Sequence, residues 1–121
     1  MNKIMNIKIW LIIIALMHTV MGVLIPLIQF GNKENLGIFL YFFAISVHLF
    51  YVILFTKDQN QARLGTILCA PMVFWFIISA VMKLEMYGFP IAEMPAALMP
   101  IIFWTMPVIS GIINWNSDKK L

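Results

Sequence analysis

Charge is scarce in this chain. Of 121 residues, 11% are charged and 63% are hydrophobic. An average soluble domain is about a quarter charged and half apolar, so this composition excludes an ordinary soluble domain and a disordered chain alike. Cysteine is scarcer still. The single Cys69 excludes an internal disulfide framework, a cysteine-built zinc centre and a dithiol mechanism. Basic clusters are missing: the formal charge is only +3, with no run of Lys and Arg to neutralise phosphates, so no nucleic-acid partner is expected. Glycine-rich phosphate loops are absent. No carboxylate pair stands inside an apolar stretch for acid–base work, and Ser79 and Ser110 have no His–Asp partners in view. No catalytic residue is assigned, and a non-enzymatic protein is expected.

What is present is long charge-free sequence. The stretches 9–32, 35–56, 64–82 and 94–117 hold 24, 22, 19 and 24 residues without a charge. A helix needs about 20 apolar residues to cross ~30 Å of hydrocarbon. Four such stretches predict an all-α protein: a transmembrane four-helix antiparallel bundle, one domain over 1–121. The expected spans are Ile7–Ile28, Leu36–Phe55, Leu64–Met82 and Pro95–Trp115. A soluble bundle would keep a polar face on each helix. Segments such as Ile9-Trp10-Leu11-Ile12-Ile13-Ile14 and Met72-Val73-Phe74-Trp75-Phe76-Ile77-Ile78 are apolar all round. The lipid bilayer is therefore the expected partner of most of the chain. The first run is longer than a cleaved signal peptide needs and no clear cleavage site follows, so it reads as a retained helix.

Basic residues give an orientation. With four spans, Lys3, Lys8, Lys57, Arg63, Lys119 and Lys120 share one side against Lys33 and Lys83 on the other. Both termini are accordingly expected in the cytoplasm, in a multi-pass cell-membrane protein.

In lipid, helices associate through small and polar residues. A turn of ~100° per residue puts Leu11, Ala15, His18, Gly22 and Pro26 in one sector of the first helix. It groups Gly37, Tyr41, Ala44, His48 and Tyr51 in the second. In the third it groups Gly65, Cys69, Met72, Phe76, Ser79 and Lys83, and in the fourth Glu93, Ala96, Pro100, Pro107, Gly111 and Asn114. These stripes are expected to meet in the middle of the bundle. Pro95 suits a first helical turn. Pro71 is expected near the start of the third helix, and Pro100 and Pro107 inside the fourth, each freeing a carbonyl.

The candidate ligand- or proton-binding residues are His18, His48, Tyr41, Tyr51, Ser79 and Asn114. The two histidines fall at similar depth, ~16 and ~10 Å from the cytoplasmic ends of their helices at 1.5 Å per residue. They read as hydrogen-bond glue between helices, as a proton-linked or substrate-binding pair, or as ligands of a haem iron. Zinc would want further ligands. Ten methionines, among them Met17, Met21 and Met72, raise Cu(I) as a further reading, but methionine is ordinarily flexible apolar filler. No metal and no cofactor is assigned. Lys83 and Glu93, at the inward ends of their stripes, are candidates for an ion pair closing the outer mouth. Gly88 and Pro90 should shape a turn nearby.

The H-T-x-x-G pattern of His18-Thr19-Val20-Met21-Gly22, the aromatic cluster Tyr41-Phe42-Phe43 and the Gly–Pro stretch Tyr87-Gly88-Phe89-Pro90 resemble an uncharacterised family of small bacterial four-helix integral membrane proteins. The resemblance implies a bacterial inner-membrane location and no established activity, and it carries over no functional residue. Small multidrug transporters are of similar size, but they use a glutamate in the first helix where this chain has His18 and no acid. The leading expectation is a bundle that binds a lipid-phase ligand or a membrane-protein partner, with a homo-oligomer possible. The alternatives are a small oligomeric proton-coupled transporter using His18 and His48, and a haem- or metal-binding membrane protein.

Overall fold

The computed structural model describes residues 6–116. Lys3, Lys119 and Lys120, which enter the orientation argument, lie outside them. Four helices and a short hairpin make up the fold of the described residues. Helix α1 runs over Ile7–Phe30, α2 over Leu36–Phe55 and α3 over Asp58–Met82, and all three are long and apolar enough to cross a membrane. Helix α4, Leu98–Ile113, is apolar but has 16 residues, about 24 Å at 1.5 Å per residue. Between α3 and α4 lies a small antiparallel hairpin of β1 (Glu85–Met86) and β2 (Phe89–Pro90).

Several expected boundaries move. Helix α3 begins at Asp58 rather than Leu64, because Asp58 supplies a negative charge to the first turn, where the helix dipole favours it. The polar stretch DQNQAR is thus helical. Gln61 is buried, and its Nε2 donates to the carbonyls of Val52 (3.3 Å), Ile53 (3.4 Å) and Thr56 (3.1 Å), which caps the end of α2. Pro71 consequently lies mid-helix. At the other end of the chain, α4 starts three residues later than expected, so Pro95 falls in the turn before it. Pro100 sits in its first turn, where no backbone donor is required, and only Pro107 is interior.

Helix α1 has a special middle. Its backbone is α-helical over Ile7–Met17, π-helical over His18–Leu24 and α-helical again over Ile25–Phe30. Pro26 brings no N–H and its ring crowds the carbonyl four residues back. The wider π turn relieves this: the N–H of Ile25 reaches the carbonyl of Val20.

The core occupies one end of the bundle. Ile7, Leu11, Ile14 and Ala15 of α1 meet Leu49, Val52 and Ile53 of α2, Ala62, Cys69 and Met72 of α3, and Trp104 of α4. Small residues allow this closure. A Cβ on Gly65 would come within 3.1 Å of Leu11, so α1 lies directly on α3. A Cβ on Gly111 would collide with the Thr66 hydroxyl and come within 2.7 Å of the Ala62 carbonyl, so α4 crosses α3 nearly backbone to backbone. Arg63 ties down the same end. Its Nε donates to the Trp115 carbonyl (3.1 Å), its Nη2 to Asn116 Oδ1 (3.1 Å), and its guanidinium covers the Trp115 ring at 5.5 Å. A cation at the end of α4 also complements that helix's dipole.

Candidate functional site

The inward stripes hold for α1 and for most of α3, and fail for α2. Leu11, Ala15 and His18 are buried, as are Gly65, Cys69, Met72 and Ser79. The buried face of α2 is instead Phe39, Phe42, Ser46, Leu49, Val52 and Ile53. Tyr41 is 66% exposed, Tyr51 56%, and His48 and Gly37 are exposed as well. The expected polar sector of α2 therefore points out of the bundle. The physical reason is volume: flat aromatic and branched side chains fill the space beside α1 and α3, and Ser46 supplies the single hydroxyl needed there. His48 turns back on its own helix, donating from Nδ1 to the Ala44 carbonyl at 2.6 Å. In α4, Pro107, Gly111 and Asn114 are buried as expected, whereas Glu93 and Ala96 are exposed. Trp104, which stands outside the expected small-residue stripe, is buried in the core.

His18 and His48 thus face opposite sides of α2, and the shared two-histidine site that a haem or a coupled pair would need is not built. Among the described residues, no three side chains of His, Cys, Asp and Glu gather as a metal cluster would. Lys83 and Glu93 are both exposed, with no bridge between them among the described residues. Lys83 instead ends α3 in a left-handed conformation, its N–H on the Ser79 carbonyl. The Ser79 hydroxyl is buried without a hydrogen-bond partner among the described residues. Asn114 Nδ2 donates to the Ser110 carbonyl at 2.7 Å.

What the structure does assemble is a site around His18. His18 is 8% exposed. Its Nε2 lies 2.9 Å from the carbonyl oxygen of Phe42. A carbonyl only accepts, so Nε2 carries a proton, and in the neutral ring Nδ1 is then an acceptor. The ring meets Phe42 edge-on at 5.8 Å and Trp104 edge-on at 5.5 Å. One residue along, Thr19 Oγ1 donates to Ser46 Oγ at 3.0 Å. Gly22 lies against the imidazole, and a Cβ there would come within 3.1 Å of Nδ1. The H-T-x-x-G pattern is therefore one local device. His18 and Thr19 fasten the π-helical part of α1 to α2, and Gly22 leaves the space beside Nδ1 open.

Two apolar cavities flank this ring. One, of about 180 Å³, lies between α1 and α4 and is lined by Ile14, Phe76, Met99, Phe103 and Trp104 as well as His18. The other, of about 170 Å³, lies towards the hairpin, between Phe42, Met72, Trp75, Phe76, Met86 and Ile91. His18, Met21, Gly22 and Phe76 line both. Met21 and Met99, flexible thioether side chains on the lining of the first cavity, are each 60% exposed.

The hairpin forms the roof. Tyr87 (φ 58°) and Gly88 (φ 79°) make its two-residue turn, both left-handed as a tight hairpin of this hand requires. Tyr87 stacks on Phe30 at 5.3 Å and on Phe39 at 5.4 Å, which joins the hairpin to the ends of α1 and α2. Its hydroxyl is buried with no partner among the described residues, and this desolvation holds its pKa above the ordinary tyrosine value.

Comparison of the chain with protein-family models, with curated proteins and with solved structures finds no match.

Proposed function

We propose that this protein is an integral membrane four-helix bundle, with both termini in the cytoplasm, that holds a small apolar ligand from the lipid phase beside His18. The observation that carries the reading is the buried imidazole between two apolar cavities, one of them lined by the exposed thioethers of Met21 and Met99. Ligand sites are typically concave and apolar with few polar groups, and an ionisable side chain at membrane depth is by default a candidate for function. The basic-residue bias supports the orientation. Three long helices support insertion, and α4 with its flanking turns would complete the fourth crossing. The same geometry favours a resident ligand over a proton relay between histidines, since His48 lies on the far face of α2.

Toluene binding to the protein in nanodiscs tests this, read by saturation-transfer NMR against empty nanodiscs. Transfer to toluene is expected with the native chain and should fall with Met21→Trp, which fills the shared border of both cavities from an exposed position. Equal signals from the native chain and the empty nanodiscs would contradict the proposal.

A further inference from the structure

We propose that the His18 cavities select a phenol-type ligand: one aromatic ring whose hydroxyl donates to Nδ1 of His18. This rests on the reading of the cavities as a ligand site and names the chemistry they would recognise. Three observations converge on it. First, the bond to Phe42 selects the Nε2–H tautomer of the neutral imidazole. With Nε2–H committed to Phe42 O, Nδ1 presents a lone pair and has no hydrogen-bond partner among the described residues. A ligand that meets it must bring a donor, so a ketone, ether or quinone carbonyl gains nothing there. Second, Nδ1 is open to approach. It adjoins the place a Cβ would take on Gly22, and both residues line both cavities. Third, size and shape suit a ring. Cavities of about 180 and 170 Å³ are comparable to an apolar cavity of about 150 Å³ that takes up benzene in another protein. Their walls carry Phe42, Trp75, Phe76 and Trp104, whose faces and edges favour aromatic partners in offset or edge-on contact.

The binding step is a hydrogen bond only; no covalent bond or electron moves. The test compares p-cresol with 4-methylanisole, in which the hydroxyl is capped, and with toluene, in which it is missing. Binding is measured to the full chain in nanodiscs, with empty nanodiscs subtracting partition into lipid. One hydrogen bond gained in an apolar site predicts p-cresol binding about tenfold tighter than either comparator. The ¹⁵N resonance of Nδ1 should shift with p-cresol and stay in place with toluene.

His18→Phe should retain toluene and lose the preference. Because that change also removes the bond to Phe42, Gly22→Ala provides the second variant. Its methyl group shields Nδ1 while leaving the Nε2 bond in place, and it too should bring the preference close to one. Toluene or 4-methylanisole binding as tightly as p-cresol overturns the phenol assignment and leaves the ligand site standing. Binding of none of the three overturns both. A preference that survives in either variant, or an Nδ1 resonance unmoved by p-cresol, removes His18 as the acceptor and overturns the assignment.

Discussion

His18 donates from Nε2 to the main-chain carbonyl of Phe42 at 2.9 Å, and this bond joins the π-helical part of α1 to the inner face of α2. The neighbouring bond from Thr19 to Ser46, at 3.0 Å, repeats the connection one residue along. Polar contacts between helices in lipid have modest worth, about 0.6 kcal/mol on average and up to about 1.7. A double-mutant cycle with Thr19→Val and Ser46→Ala should therefore give a coupling energy in that range. Thermal or denaturant unfolding in detergent reads it, and strictly additive losses would show that the two hydroxyls do not cooperate.

The two glycines Gly111 and Gly37 should respond in opposite directions. A methyl group on Gly111 would press on the Ala62 carbonyl and the Thr66 hydroxyl, and backbone cannot give way cheaply. Overpacking of this kind costs about 1–3 kcal/mol, more than the gain of at most about 1 kcal/mol from replacing a helical glycine. Gly111→Ala should lower the melting temperature in detergent. Gly37 has nothing within 4 Å of its would-be Cβ, so Gly37→Ala should leave stability unchanged or slightly raised. Equal effects at both positions would contradict the close crossing of α3 and α4.

Tyr87 links the roof to pH. Its pKa is raised by desolvation, so the folded state binds the phenolic proton more tightly than the unfolded chain. The stability this contributes is complete below the ordinary tyrosine value of about 10 and is lost as pH rises through the higher folded value. Tyr87→Phe keeps the stacks on Phe30 and Phe39, removes an unpartnered hydroxyl, and should raise stability by up to about 1 kcal/mol. It should also abolish that part of the alkaline loss. Unfolding curves of the native chain and the variant across alkaline pH check both points. Identical pH profiles would mean that Tyr87 does not titrate late.

Charge spacing locates α1, α2 and the existence of the other two helices, because each long charge-free stretch is apolar enough to form a helix of about the length that crosses a bilayer. It misplaced the start of α3, because an amphipathic DQNQAR turn costs little once Gln61 and Arg63 find carbonyls at the bundle end. Helical spacing puts His18 on the buried face of α1 and points to the wrong face of α2. Aromatic residues pack as readily as small ones, so Tyr41, His48 and Tyr51 formed a persuasive sector on the outside. Two features had no signal strong enough to read. The π-helical segment depends on how Pro26 is relieved by its neighbours. The cavities depend on where Trp104, Phe76 and Phe103 stop filling space, and no local pattern of residues reports that.

The most direct test of the account is whether the chain resides in a bilayer at all. Membranes from cells producing the protein can be washed in alkaline carbonate and sedimented. The account predicts that the protein stays in the pellet and leaves it only with detergent. Folded protein in the supernatant, free of detergent, would contradict it.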